Sequence, residues 1–192
     1  MYPFDQSAVK NISNSDLTDL SDVELVNLTL DKDKNYFSQI ILRYQKQIFV
    51  YLLRLLNFHQ EDAQDVLATT FLKVYQNLAS FNRVLKFSSW LYRIAHNEAV
   101  NQIKKNVKNY AVDIEKVDFG IDFDDKNLLK LDLEKILNKL NPEDRNILIL
   151  YYMEERSYQE ISDILKITVN NVAVKLNRAK TKAKNLCNPI TK

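Results

Sequence analysis

Apolar residues recur along this chain at three- and four-residue spacing, in long stretches separated by short polar breaks, the period of helices with one buried face. Phe37, Ile40, Ile41, Tyr44, Ile48, Tyr51, Leu52 and Leu55 fall on one stripe of a helix predicted between Tyr36 and Asn57. Ala63, Val66, Leu67, Thr70, Phe71, Val74 and Leu78 make the stripe of a second, from Gln60 to Ala79, with Asn57-Phe58-His59 as the break between them. Ahead of both, Ser21 followed three residues on by Glu24 forms a capping box for a short helix facing Leu25, Val26 and Leu28 inward. Residues 80–87 read as a loop, and Ser88 is placed to cap a helix carrying Trp90 to Lys105.

Periodicity is lost from Val107 to Asp125, where the one glycine, Gly120, lies among Asp113, Glu115, Asp118, Asp122, Asp124 and Asp125. This segment reads as a flexible acidic linker. A second helical unit starts near Leu128. Within it Asn141-Pro142-Glu143-Asp144 is a strong helix start, with Asn as N-cap, Pro at the first position and acids in the first turn.

Composition sharpens the fold class. With 1 Gly and 3 Pro in 192 residues, the chain has few breakers, so an all-α protein is expected. No apolar run approaches the roughly 18 residues of a membrane span, and the N-terminal acids Asp5, Asp16, Asp19, Asp22 and Glu24 do not follow the order of a signal peptide. The 1 cysteine, Cys187, allows no intrachain disulfide, and a cytoplasmic location is expected. A net charge of +2 hides segregation. From Lys166 onward there are seven cations and no acid, and Arg83 to Lys108 is basic but for Glu98. Such segregation suits two polyanion-binding surfaces, or simply solvated helix faces.

Two motifs lie in those basic stretches. Ser157-Tyr158-Gln159-Glu160 is a capping box opening a short helix with Ile161, Ile164 and Leu165 as its apolar stripe. Lys166-Ile167-Thr168 makes a turn, and Thr168 can cap a following helix that buries Val172, Leu176, Ala179 and Ala183. The outer face of that helix shows Asn171, Val174, Lys175 and Arg178, types that read adenine, thymine methyl and guanine, or reach phosphates, in the major groove. The alternative is a packed helical hairpin with a soluble basic face. Upstream, Phe81, Phe87, Trp90 and Tyr92 surround a loop with Asn82, Arg83 and Lys86. Aromatics beside cations suit unpaired bases, although Trp90, Leu91 and Ile94 read more readily as core; Asn97, Asn101 and Lys104 form a polar helix face better suited to DNA contact. No metal-ligand spacing or Gly-rich phosphate loop is present, and neither an enzyme nor a cofactor is expected.

Glu61 to Val66, Thr70-Phe71-Leu72, Phe81 and Phe87 to Asn97 resemble region two of the extracytoplasmic-function (ECF) sigma factors of RNA polymerase; Leu140 to Tyr152 and Ser157 through Lys180 resemble their region four. The resemblance implies a flexible segment at 1–20, region two at 21–108, the acidic linker at 109–127 and region four at 128–187. It further implies docking on the core polymerase clamp through Asp62, Asp65, Thr69 and Leu72. Recognition and melting of the minus-ten element would fall to Asn82, Arg83, Lys86, Phe87, Ser88, Arg93, Asn97, Asn101 and Lys104. Reading of the minus-thirty-five element would fall to Ser157, Tyr158, Thr168, Asn170, Asn171, Val174, Lys175 and Arg178. Region four would also bind the β flap, and an anti-sigma factor would cover these surfaces.

The chain departs from that pattern at four places. Ala68-Thr69 stands where Gln-Glu is usual, Asn101 where Asp is common, Ala173-Val174 where Lys and Ser are usual, and Lys166 where the turn has glycine. The first bears on core affinity, and the loss of a cation implies weaker, less salt-sensitive binding by region four. Rival readings are a degenerate relative that binds DNA or polymerase without initiating, and a helical protein-interaction module.

Overall fold

The computed structural model describes residues 19–109 and 135–187 of the chain. These are helical, with no strand among the described residues. The elements are α1 (Asp22–Asp31), α2 (Phe37–Leu55), α3 (Gln60–Gln76), α4 (Phe87–Asn109), α5 (Pro142–Leu148), a π-helical turn (Ile149–Met153), α6 (Tyr158–Leu165) and α7 (Val169–Cys187), with short 3-10 turns at Lys34–Tyr36 and Leu78–Ser80. Segment 1–18 and most of the acidic linker lie outside the described residues, as does the start of the second unit near Leu128.

The predicted starts hold at atomic detail. Ser21 Oγ accepts from the Glu24 N–H while Glu24 accepts from the Ser21 N–H, and the same reciprocal box joins Ser157 and Glu160. Asn141 caps α5 through the Asp144 N–H, and Thr168 Oγ1 accepts from the Asn171 N–H at the head of α7. Asn57 and Phe58, both at positive φ, turn the chain between α2 and α3.

Helix α4 begins at Phe87, so Ser88 lies inside its first turn and is not its cap. The Trp90 N–H donates to the Lys86 carbonyl, which closes that turn. The reason is packing: the Phe87 ring is 2% exposed against Phe81, Trp90 and Tyr44, and burying it draws residue 87 into the helix. Helix α3 stops at Gln76, short of the expected Ala79; the tighter 3-10 turn that follows buries Leu78.

Helices α2, α3 and α4 pack on one another, α1 lies across α2, α5 packs on α7, and α6 sits against α4. One apolar core is continuous from Leu25 to Ala179, so the two halves are pressed together. Arg145 joins them from within. Its guanidinium donates to the carbonyls of Leu137, Asn138 and Leu140 and to that of Leu55 at the end of α2, satisfying acceptors that helix ends leave unpaired. Burial lowers its pKa to about 10.

Candidate nucleic-acid and polymerase interfaces

Helix α3 presents Gln64, Asp65, Ala68, Thr69 and Leu72 outward along one face, with Leu72 56% exposed. An apolar side chain among polar neighbours on a solvent face fits a partner surface. Asp62 is placed differently. Its carboxylate accepts from Gln102 and Asn106 of α4, both at 2.8 Å, and so ties the two helices together.

The loop before α4 is held in shape by Asn82. Its side-chain oxygen accepts from the Val84 N–H and its carbonyl accepts from the Leu85 N–H, each at 3.0 Å. Leu85 packs on the core, Arg83 donates to Asn27 of α1, and Val84 is left 90% exposed at the tip. The sequence reading passed over Val84; its apolar character between two cations was the available signal. Ser88 is half-buried, whereas Asn97, Asn101 and Lys104 lie exposed along α4. Arg93 and Asn97 line a groove of about 240 Å³ with Lys73, Asn77, Ser80 and Trp90. Phe87 belongs to the core cluster with Trp90, and its ring is covered.

Helix α6, the turn and α7 form the expected helix-turn-helix. Asn170, Asn171 and Val174 are exposed, as is Asn177, which the sequence reading did not single out. Ser157 is engaged in its capping box, and Thr168 caps α7. Tyr158 is 37% exposed, and its ring packs tilted against Tyr151, 5.5 Å between centroids. Lys175 pairs with Glu143 and Arg178 with Asp144, both from the first turn of α5; Lys182 also pairs with Asp144. Burial alone would raise the Asp144 pKa, but Lys182, Asn141 and Arg178 hold its carboxyl below the ordinary value.

Nothing in the sequence announced what joins these surfaces. Lys86, in the loop before α4, lies 3.0 Å from Glu160 of α6. Burial would raise the Glu160 pKa, but its hydrogen bonds from the Ser157 backbone and hydroxyl and from Lys86 bring it to about 2. Glu154 accepts from Tyr92 at 2.6 Å and from Arg54 at 3.1 Å, and Tyr51 donates to Asn146, whose amide contacts His96.

A helical bundle joined to a helix-turn-helix is the architecture of a two-part DNA-binding protein. Residues 40–109 match the family model for sigma-70 region 2, and residues 130–182 match that for sigma-70 region 4. The ECF RNA polymerase sigma factor SigW of Bacillus subtilis is 32% identical over 166 residues, covering 77% of this chain and 87% of the relative. The ECF sigma-E factor of Haemophilus influenzae is 29% identical over 186 residues, covering 89% and 97%. Among solved structures, CnrH in complex with the cytosolic domain of CnrY has a similar fold, with a TM-score of 0.65 at 21% identity over 85% of this chain and 95% of that one. The sigma factor RpoE bound to the anti-sigma factor NepR from Bartonella quintana has a TM-score of 0.64 at 23% identity, over 79% and 96%. The chain belongs to the ECF sigma factors of RNA polymerase. It binds core polymerase, recognises the minus-ten and minus-thirty-five promoter elements and helps melt the DNA to start transcription.

Proposed function

We propose that the work divides along the chain at 21–108 and 128–187, with the outer face of α3 docking on the polymerase clamp. The turn at Asn82 to Lys86 and the polar face Arg93, Asn97, Asn101 and Lys104 take the minus-ten strand. Asn170, Asn171 and Val174 of α7 read the minus-thirty-five duplex. The cationic loop beside the α4 groove supports the first assignment, since unpaired strands need cations for phosphate and a recess for bases. RNA synthesis itself is the polymerase's chemistry, and the site of action is the cytoplasm.

The single observation that carries the mechanism is the packing of the two reading surfaces onto each other, with Lys86 against Glu160. Promoter elements centred about 25 base pairs apart are separated by roughly 85 Å of duplex at 3.4 Å per step. A body in which the minus-ten loop touches the helix-turn-helix spans no such distance. The halves must therefore separate before both elements are engaged, and an anti-sigma factor that favours the packed arrangement would keep the chain silent.

The test is run-off transcription with the purified chain, cognate core polymerase and fragmented genomic DNA. Discrete new start sites sharing two upstream elements are expected. Core binding without new starts would make the chain an antagonist instead.

A further inference from the structure

Helix α7 sets an uncharged strip among its cations. Its buried line is Val172, Leu176 and Ala179; Asn170, Asn171, Val174, Asn177 and Thr181 are exposed and uncharged, with Arg178, Lys180 and Lys184 exposed around them. Lys175, Arg178 and Lys182 lie on the flank that meets α5. Two of these three have a structural task. The Asp144 side chain is 1% exposed, and a buried carboxylate needs the counter-charge that Arg178 and Lys182 supply.

Lys175 has no such task. Its Nζ is 2.9 Å from Glu143 Oε2, the Glu143 side chain is 73% exposed, and Lys175 itself is 36% exposed. A pair this open contributes little to folding. It does neutralise the cation next in sequence to Val174, where a phosphate would otherwise be met, and it sets a carboxylate beside the DNA path. Lys175 in turn holds the Glu143 carboxyl below its ordinary pKa, so Glu143 is a carboxylate at neutral pH.

We propose that Glu143 is a specificity-setting residue: it competes with DNA phosphate for Lys175, suppresses sequence-independent binding and leaves discrimination to the uncharged strip of α7. Each phosphate contact adds affinity on any sequence, so withholding one widens the margin between promoter and bulk DNA. This rests on α7 being the helix that reads the duplex.

The experiment titrates the full chain with a random-sequence duplex over a range of salt, using Glu143→Gln, Lys175→Gln, the double variant and Asn171→Ala. Glu143→Gln is expected to tighten binding about three- to tenfold at 0.1 M salt and to steepen the salt slope by about 0.9. The double variant should bind like Lys175→Gln, because the gain requires the released cation. A merely structural role for Glu143 at the first turn of α5 would move the melting temperature and leave the salt slope alone. If Lys175→Gln weakens binding while Glu143→Gln changes nothing, the proposal falls and the reading helix stands. If Lys175→Gln and Asn171→Ala are both without effect, or if no variant binds, the assignment of α7 falls with it.

Discussion

The guanidinium of Arg156 lies over the ring of Tyr92, 4.2 Å from its centroid, and stacks the segment leading into the helix-turn-helix onto α4. The Tyr92 hydroxyl donates to Glu154, which also holds Arg54 of α2. Three charged groups and one phenol therefore fasten region four to region two, in a seam where the Glu154 side chain is 8% exposed. This polar seam borders the apolar core that the two halves share, and within it the Arg156 Nε is buried without a hydrogen-bond partner.

Tyr92→Phe removes the hydroxyl and keeps the ring under Arg156. The Glu154 carboxylate then loses its short hydrogen bond, at a cost of about 1–2 kcal/mol. The variant should show a larger radius of gyration by solution X-ray scattering and tighter binding to core polymerase, with helix content unchanged. An unaltered scattering profile would show that this bond does not hold the halves together.

His96 makes the seam sensitive to acid. Tyr51 donates to the Asn146 side-chain oxygen, so the Asn146 amide nitrogen donates to His96 Nδ1 and the ring proton sits on Nε2. Burial lowers the His96 pKa to about 4 from an ordinary value near 6.5. Between those values the unfolded chain binds the proton and the folded one does not. Stability should therefore fall as pH drops from about 6.5 towards 4, by up to about 3 kcal/mol, and His96 should add no further loss below that. Thermal unfolding at pH 7 and pH 5 tests this, and His96→Gln should remove most of the difference, since the other histidine, His59, lies in an exposed break.

Lys166 ends α6 in the left-handed conformation, at φ 57° and ψ 41°. A side chain there crowds the backbone, and glycine does not. Lys166→Gly should raise stability by about 1 kcal/mol in denaturant unfolding, with the helix-turn-helix geometry retained. A loss of stability would mean that the lysine makes a compensating contact.

Leu72 is exposed on the face of α3 that also shows Asp65 and Thr69. Leu72→Asp should leave the unfolding free energy within about 0.5 kcal/mol of the parent, as surface changes do, and weaken core polymerase binding at least about tenfold. Equal affinity for core would move the docking surface elsewhere. Because Asp62 is engaged by Gln102 and Asn106, Asp62→Ala should lower stability as well as any core affinity, a combination Leu72→Asp should not show.

The helices were legible because their determinants are local. The capping boxes at Ser21 and Ser157, the Asn141-Pro142 start and the stripes of α2 and α3 depend on residues three or four apart, and the structure starts each of these helices within a residue of where that spacing put it, although α2 and α3 end earlier. The start of α4 differs from the expected one because Ser88 satisfies a local capping rule while Phe87 is claimed by Phe81, Trp90 and Tyr44, the last of them 43 positions away across the bundle. The π-helical turn at 149–153 left no periodic signal of its own. Its extra residue shifts the chain so that the Arg156 N–H reaches the Leu150 carbonyl, with Glu155 at positive φ beside it.

By itself the sequence determined an all-α chain, its helix starts other than that of α4, a helix-turn-helix and membership among the ECF sigma factors, since motif order and spacing are properties of the chain. Tertiary structure alone decided which polar residues are free to meet a partner. Lys175, Arg178, Asp62 and Lys86 look equally available in one dimension, yet each is held by a carboxylate or amide 32 to 74 positions away: Glu143, Asp144, Gln102 and Glu160. Charge pairing acts through space over a few ångströms, and no pattern confined to neighbours in sequence encodes it.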